Sequence, residues 1–144
     1  MGANENVEAH RAWSDVENQY DFARLGEFLH PDIELHLPGG EVVAGIDAYR
    51  TMLESRNASF PDFRTEADDR FATNDRLVCR WRSTGTQRGE YFGFPPSGKR
   101  ITFAGISLWE FDGGKARRGW AFPDVAAILA QLSSQSLRAE SRSQ

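Results

Sequence analysis

Cysteine is nearly absent from this chain of 144 residues, which carries a single one, Cys79. One cysteine excludes an intramolecular disulfide. Because Cys79 lies in an apolar strand pattern, we expect a buried, unreactive thiol rather than a nucleophile. Histidine is also scarce, and the three histidines and the cysteine show no metal-ligand spacing. The sequence therefore predicts neither a disulfide nor a metal site.

Positive charge and long apolar runs are lacking as well. Seventeen Lys and Arg stand against 21 Asp and Glu, so the formal net charge is −4. That balance gives no electrostatic reason to expect a nucleic acid or an anionic membrane as a partner. No run approaches the roughly 18 apolar residues of a membrane span, and the first ten residues lack the features of a signal peptide. We therefore expect a cytoplasmic protein with no membrane or nucleic-acid partner.

Aromatic and aliphatic residues are plentiful. Forty per cent of the residues are hydrophobic and 12% are aromatic, including ten Phe and four Trp. Such a composition is typical of a globular domain, and surplus aromatic rings can also line a pocket for a flat ligand. The length suits one domain, predicted at 1–132, followed by a polar C-terminal tail at 133–144 that we expect to be flexible.

Hydrophobic periodicity predicts helices followed by a strand-rich half. Helical spacing covers 6–20, 22–29 and the segment from 46 to before Pro61, with Asp21 and Asp124 as expected N-caps of the second and last helices. Alternation and turn signals predict strands at 33–37, 41–44, 63–73, 76–86, 100–111 and 115–122. Segregated helices and antiparallel strands indicate an α+β fold. A sheet curved around helices would leave a cone whose mouth is the natural ligand site.

Several short motifs in the second half share the spacing of one known family. They are Gly85 to Gly89 (GTQRG), Gly93 to Lys99 (GFPPSGK) and Phe111 to Lys115 (FDGGK), followed by Trp120 and Asp124. The chain thus resembles the SnoaL-like polyketide cyclases of the NTF2-like, ketosteroid-isomerase-like superfamily. The resemblance implies a cone-shaped α+β barrel with a mixed, mainly antiparallel sheet, packed through that sheet as a homodimer or tetramer. It also implies a hydrophobic small-molecule substrate, no cofactor, and ring closure by intramolecular aldol chemistry.

The sequence departs from that family at the positions on which aldol chemistry depends. The resemblance places the general acid/base Asp of the last strand at Ala121, a histidine of the preceding strand at Ser107, and a glutamine at Gly105. The aldol mechanism therefore does not carry over to this chain.

Two residues are candidates for catalysis, His36 and Ser107. Alternation directs His36 to the side opposite Leu35 and Leu37, where an imidazole suits acid/base work, although a solvent-facing or hydrogen-bonded strand histidine is the commoner interpretation of such a pattern. Ser107 offers a hydrogen bond to a substrate carbonyl, but no His–Asp partner is evident, so we do not expect a nucleophile.

A larger set of residues is predicted to line the pocket. Small residues on the last strands are expected to enlarge the cavity, whereas the aromatic residues either stack on substrate or belong to the core. The predicted substrate-binding residues are Trp13, Tyr49, Met52, Trp81, Phe94, Gly105, Trp109, Gly119, Trp120 and Ala121.

These features support two hypotheses from different classes. The first is a cyclase of polyketide or other secondary metabolism, as in antibiotic biosynthesis. Such a cyclase would hold a hydrophobic polyene in the conformation needed for ring closure. Because the aromatic-rich pocket is expected to contain few acidic groups, the shape of the pocket alone would promote the reaction, for example a [4+2] cyclisation. A variant of it is an isomerase or dehydratase that uses His36. The second hypothesis is a non-catalytic protein that binds a hydrophobic metabolite.

Overall fold

The computed structural model of the protein describes the backbone of residues 2–142 and the side chains as far as residue 133. Its helices are α1 (Ala3–Asn18), a 3-10 helix (Phe22–Glu27), a 3-10 turn (Pro38–Gly40), α2 (Ile46–Ser59) and α3 (Val125–Arg142). Its strands are β1 (Leu29–His36), β2 (Val42–Ala44), β3 (Arg64–Ala72), β4 (Arg76–Thr86), β5 (Arg100–Asp112) and β6 (Lys115–Pro123). The predicted tail overlaps the end of α3, and its last two residues and nearly all of its side chains lie outside the described residues.

The six strands form one mixed sheet in the order β2-β1-β6-β5-β4-β3. Strands β3 to β6 form a meander of antiparallel neighbours, and β1 joins it by pairing parallel to β6. The β5–β6 hairpin is tight because Gly113 and Gly114 take the positive φ values of 60° and 83° that its turn needs. The sheet does not close on itself, and the predicted α+β fold class is confirmed.

The segment between α1 and β1 differs from the sequence prediction. The second helix is a short 3-10 helix, Asp21 makes no side-chain cap bond to it, and β1 begins four residues earlier than predicted, at Leu29. Pro31 explains the irregular strand entry, because it has no N–H to donate to the ladder. The register of β1 against β6 accordingly shifts between Leu29 and Glu34.

The start of α3 agrees with its sequence signal. Asp124 Oδ1 accepts a hydrogen bond from the backbone N–H of Ala127 at 3.0 Å, which satisfies a free donor of the first turn. The backbone N–H of Asp124 donates to the carbonyl of Ala104 at 2.9 Å. The predicted N-cap is therefore confirmed, and it fixes the helix to β5.

The interior consists of two groups of buried side chains. The first lies under α1 and α2 and includes Trp13, Leu35, Tyr49 and Trp109. The second lies near α3, and its buried members are Phe60, Phe63, Ile101, Phe103, Ile128 and Leu132. Both groups contribute side chains to one cavity, so the cavity lies between them.

Candidate active site

The cavity has a volume of about 970 Å³ and opens to solvent. That size is at the upper end of the roughly 300–1,000 Å³ typical of small-molecule sites. Its walls come from α1, α2, the inner face of the sheet, the 90–92 loop and the start of α3. The tryptophans and phenylalanines of the core thus leave room for a ligand.

Seven of the predicted site residues line this cavity. Their sheet positions follow the predicted alternation, since Ser107 lies opposite Ala121 in the register and shares its strand face with Trp109. The seven are Trp13, Tyr49, Met52, Trp81, Ser107, Trp109 and Ala121.

Gly105 and Gly119 do not line the cavity. Each is the cross-strand partner of a tryptophan, Gly105 of Trp81 and Gly119 of Trp109. A Cβ at Gly105 would lie 2.3 Å from the Trp81 ring, and one at Gly119 would lie 2.2 Å from the Trp109 ring. The two glycines therefore make room for indole rings, and these rings, rather than empty space, cover the strand at both positions.

Three other predicted residues also lie away from the cavity. His36 stacks on Trp120 with ring centroids 5.3 Å apart, on the sheet face opposite Leu35. Its Nε2 atom is 3.8 Å from Glu34 Oε2 and has no hydrogen-bond partner. Phe94 packs against the second core group and pins its loop, because its carbonyl accepts a bond from Gln87 Nε2. Because neighbouring residues of a strand point to opposite faces of the sheet, His36 and Trp120 lie on the face away from the cavity.

Ser107 is buried, and its hydroxyl group is hydrogen-bonded to the indole of Trp81. Its Oγ accepts a hydrogen bond from Trp81 Nε1 at 2.9 Å. Since the hydroxyl is the acceptor in that bond, its own O–H can be donated to a ligand. Across β6, Ala121 supplies only a methyl group, so this part of the wall offers a single polar contact.

The cavity contains a carboxyl group that the sequence analysis did not select, Glu17. Its Oε2 accepts two hydrogen bonds, from Trp13 Nε1 at 2.5 Å and from the Tyr49 hydroxyl at 2.8 Å. Burial raises the pKa of Glu17 above its usual value, opposed by the nearby Arg56 charge and by the two donors. Burial and the Glu17 charge also raise the pKa of Tyr49 well above its usual value, which keeps its hydroxyl protonated. The expectation of an acid-poor pocket is thus wrong.

Arg56 brings a positive charge to the same wall. Its guanidinium lies 4.0 Å from the centre of the Phe63 ring, and its Nε donates to Asn57 Oδ1 at 3.3 Å. Burial lowers the pKa of Arg56, and the nearby Glu17 charge partly offsets that effect. A buried cation beside a carboxyl group favours ligands with a polar end.

His10 and Cys79 also line the cavity, and both are held in their neutral forms. Burial and the charges of Arg70 and Arg11 lower the pKa of His10 to about 3. Its Nδ1 accepts a hydrogen bond from Arg70 Nε at 2.9 Å. Burial raises the pKa of the Cys79 thiol, so a reactive thiolate is disfavoured.

A helical signal for the missed carboxyl group is present in the sequence. His10, Trp13 and Glu17 are spaced by three and four residues, which places them on one face of α1. Because Glu17 continues the face of α1 that carries Trp13, this spacing indicates that Glu17 is directed toward the interior rather than toward solvent. Arg56 has the same signal, because Tyr49, Met52 and Arg56 are spaced by three and four residues on α2.

Among the side chains that the structure describes, no group of three or more His, Cys, Asp or Glu residues is arranged to hold a metal ion. None of the helices described combines the length and the hydropathy that crossing a membrane requires.

Known proteins of the same fold give the chain a family. The sequence profile of the SnoaL-like polyketide cyclases matches residues 7–132. A SnoaL-like polyketide cyclase from Agrobacterium tumefaciens strain C58 is 30% identical, with a TM-score of 0.79 over 92% of this chain and 99% of that one. No curated protein matches the chain significantly.

Two further structures share the fold at lower identity. A protein from Jannaschia sp. CCS1, described as a candidate SnoaL-like polyketide cyclase, is 22% identical, with a TM-score of 0.83 over 91% of this chain and 93% of that one. AclR from Streptomyces galilaeus, described as a candidate hydroxylase, is 23% identical, with a TM-score of 0.81 over 92% and 98% of the two chains. Because the profile covers most of the sequence and the domain is matched almost end to end, this chain belongs to the SnoaL-like polyketide cyclase family.

Proposed function

We propose that the protein is a cyclase that promotes intramolecular ring closure of a hydrophobic polyketide-type intermediate. The observation that carries this proposal is the cavity of about 970 Å³, walled mainly by aromatic and aliphatic side chains, with polar and charged side chains on part of the wall. A cavity of this kind removes a flexible chain from water and restricts it to few conformations. The family supports a cyclase role in general terms.

In the finer form of the proposal, the ring closes by a [4+2] reaction of a polyene. Ala121 leaves the β6 wall without the carboxylate of the aldol cyclases, so proton transfer from that wall is excluded. Holding the two reacting ends together contributes up to about 7–11 kcal/mol in the best intramolecular cases. A hydrogen bond from the Ser107 hydroxyl to a substrate carbonyl would add to that effect.

Of the two alternatives, the geometry disfavours the first, whereas the second is distinguished by experiment. An isomerase or dehydratase based on His36 would need that imidazole in the cavity, whereas His36 stacks on Trp120 on the other side of the sheet. A non-catalytic binding protein would use the same cavity, and it would return its ligand chemically unchanged.

Ring closure can be tested with a synthetic linear trienone, in which a tether joins a conjugated diene to an enone. We expect the purified protein to accelerate cyclisation at least tenfold over buffer, which corresponds to about 1.4 kcal/mol of barrier. The measurement is chromatography and mass spectrometry of the probe with time. Ala121→Leu, which projects a larger side chain into the cavity beside Ser107, should abolish the acceleration. Ala104→Leu, at an exposed position of β5, should retain it. Stoichiometric binding with the trienone recovered intact would favour the non-catalytic alternative.

We also propose that two copies pair through the outer sheet face. Ile106 and Phe122 are cross-strand partners, both exposed on that face, and exposed Phe71 lies on the same side. Contiguous exposed apolar side chains of this kind mark protein interfaces. A second copy is the expected occupant, because the face combines apolar groups with charges of both signs, such as Arg118 and Glu110.

We expect sedimentation to give a dimer for the native chain and a monomer for Phe122→Asp, since charge inside an apolar interface costs about 2 kcal/mol or more. Leu129→Asp, on the exposed side of α3, serves as the control and should remain dimeric. A monomeric native chain at micromolar concentration would contradict the proposal.

A further inference from the structure

Glu17 is arranged asymmetrically in the cavity wall. Both hydrogen bonds that it accepts, from Trp13 and from Tyr49, end on Oε2. No protein donor lies within bonding distance of Oε1 among the described residues, and the residue lines the cavity. One oxygen is therefore held by two buried side chains, while the other is available to a ligand.

This arrangement also determines where a proton would reside. An oxygen that already accepts two donors has little capacity left for a proton, so the protonated acid carries its hydrogen on Oε1. The groups that face the carboxyl group are Trp13 from α1, and Tyr49 and Arg56 from α2. Burial raises the pKa of Glu17 despite the Arg56 charge, so the protonated acid persists to a higher pH than in an ordinary glutamate.

We infer that Glu17 is the catalytic acid/base of this cavity, exchanging a proton with a substrate ketone or enone through Oε1. The inference rests on the proposed ring closure and gives it an acid/base route in place of the [4+2] form, because it names a carboxyl group that acts where the one of the last strand is lost at Ala121. Trp13 and Tyr49 are positioning residues, since they hold the carboxyl group through the other oxygen.

The chemical step balances without a further reactant. The Glu17 carboxylate takes a proton from the carbon next to a carbonyl, and the C–H electron pair forms an enolate. When the enolate carbon attacks a second carbonyl in the same molecule, the new C–C bond forms and the C=O π pair moves to oxygen. The resulting alkoxide takes the proton back from Glu17, which leaves the carboxylate as it began.

A matched set of variants separates this role from a structural one. In Glu17→Gln the amide oxygen can still accept the bonds from Trp13 and Tyr49, so the fold is retained while the transferable proton is lost. Glu8→Gln removes an exposed carboxylate from the same helix and serves as the control.

Removal of a proton from the carbon next to a carbonyl, the first part of this step, can be tested with β-tetralone, a flat hydrophobic ketone, in deuterated buffer. We expect the native protein to accelerate α-proton exchange at least tenfold over Glu17→Gln, as measured by mass spectrometry, while Glu8→Gln matches the native protein. In the native protein the protein-dependent rate should rise with pH through an apparent pKa above the usual glutamate value, because the carboxylate form is the base. Equal exchange by the native protein and Glu17→Gln, or a rate that follows hydroxide alone, would overturn the inference.

The outcomes for exchange and for ring closure are independent. Cyclisation of the trienone that persists in Glu17→Gln, with no Glu17-dependent exchange, would retain the cyclase and refute the inference. Exchange that depends on Glu17, with no ring closure of any linear probe, would retain the inference and refute the proposed reaction.

Discussion

Replacing Gly119 by alanine should lower the free energy of unfolding by about 2–3 kcal/mol, near the upper end of typical overpacking costs. The added Cβ would lie 2.2 Å and 2.3 Å from two carbons of the Trp109 ring, whereas carbon atoms pack at about 3.5–4.0 Å. The ring cannot move away freely, because it is buried and its centroid is 4.6 Å from that of Trp13. In an unhindered strand the same substitution would be mildly stabilising, by about 0.5–1 kcal/mol.

Urea unfolding of matched variants measures this effect. Gly26→Ala is the control, because a Cβ there would meet nothing within 4 Å, and we expect its stability to stay within about 0.5 kcal/mol of the native value. Combining Gly119→Ala with Trp109→Leu should cost less than the sum of the two single changes, since the smaller side chain leaves space for the methyl group. Gly119→Ala at native stability would show that the indole ring has another position available.

The glycine–tryptophan pairs show where reasoning from sequence stops. Alternation along β5 and β6 put Ser107 and Trp109 on one face of β5 and Ala121 on one face of β6, because a strand has a strict period of two, and the family resemblance assigned those faces to the cavity. Gly105 and Gly119 share that face, yet what lies over each depends on the register between strands. Register is a tertiary property, so small residues that suggested empty space instead accommodate large rings from the next strand.

The histidines show that local sequence also does not determine which face of a strand or helix is buried. Alternation correctly put His36 opposite Leu35, but nothing local to β1 tells which of the two faces borders a cavity. His10 lies on the same helical face as Trp13 and Glu17 and is buried, although the residues beside it in the sequence do not distinguish it from a surface histidine. Tertiary packing of α1 against the sheet determines the environment of that face, and it turns His10 into a neutral partner of Arg70.

Acidification should destabilise the protein strongly through His10. The folded-state pKa of about 3 lies below the unfolded value of 6.5, so the unfolded chain binds the proton first as the pH falls. The stability that neutral His10 contributes is therefore complete above pH 6.5, and it is lost progressively between pH 6.5 and pH 3. At about 1.4 kcal/mol per pH unit, the loss between neutral pH and pH 4 is roughly 3 kcal/mol. The main physical cause is burial, which disfavours a charged imidazole. A proton on Nδ1 would also break the bond from Arg70 and place a second cation beside that guanidinium.

The measurement is the free energy of unfolding at pH 7 and at pH 4 for the native protein and for His10→Gln. The amide oxygen of glutamine can accept the Arg70 bond but does not titrate, so the variant should lose about 3 kcal/mol less than the native protein over this range. Other groups that titrate over this range are common to both proteins and cancel in the difference. His30→Gln, at a site that remains partly open to solvent on β1, should follow the native protein. Parallel losses in the native protein and His10→Gln would mean that the imidazole finds water, or a new acceptor, when it is protonated.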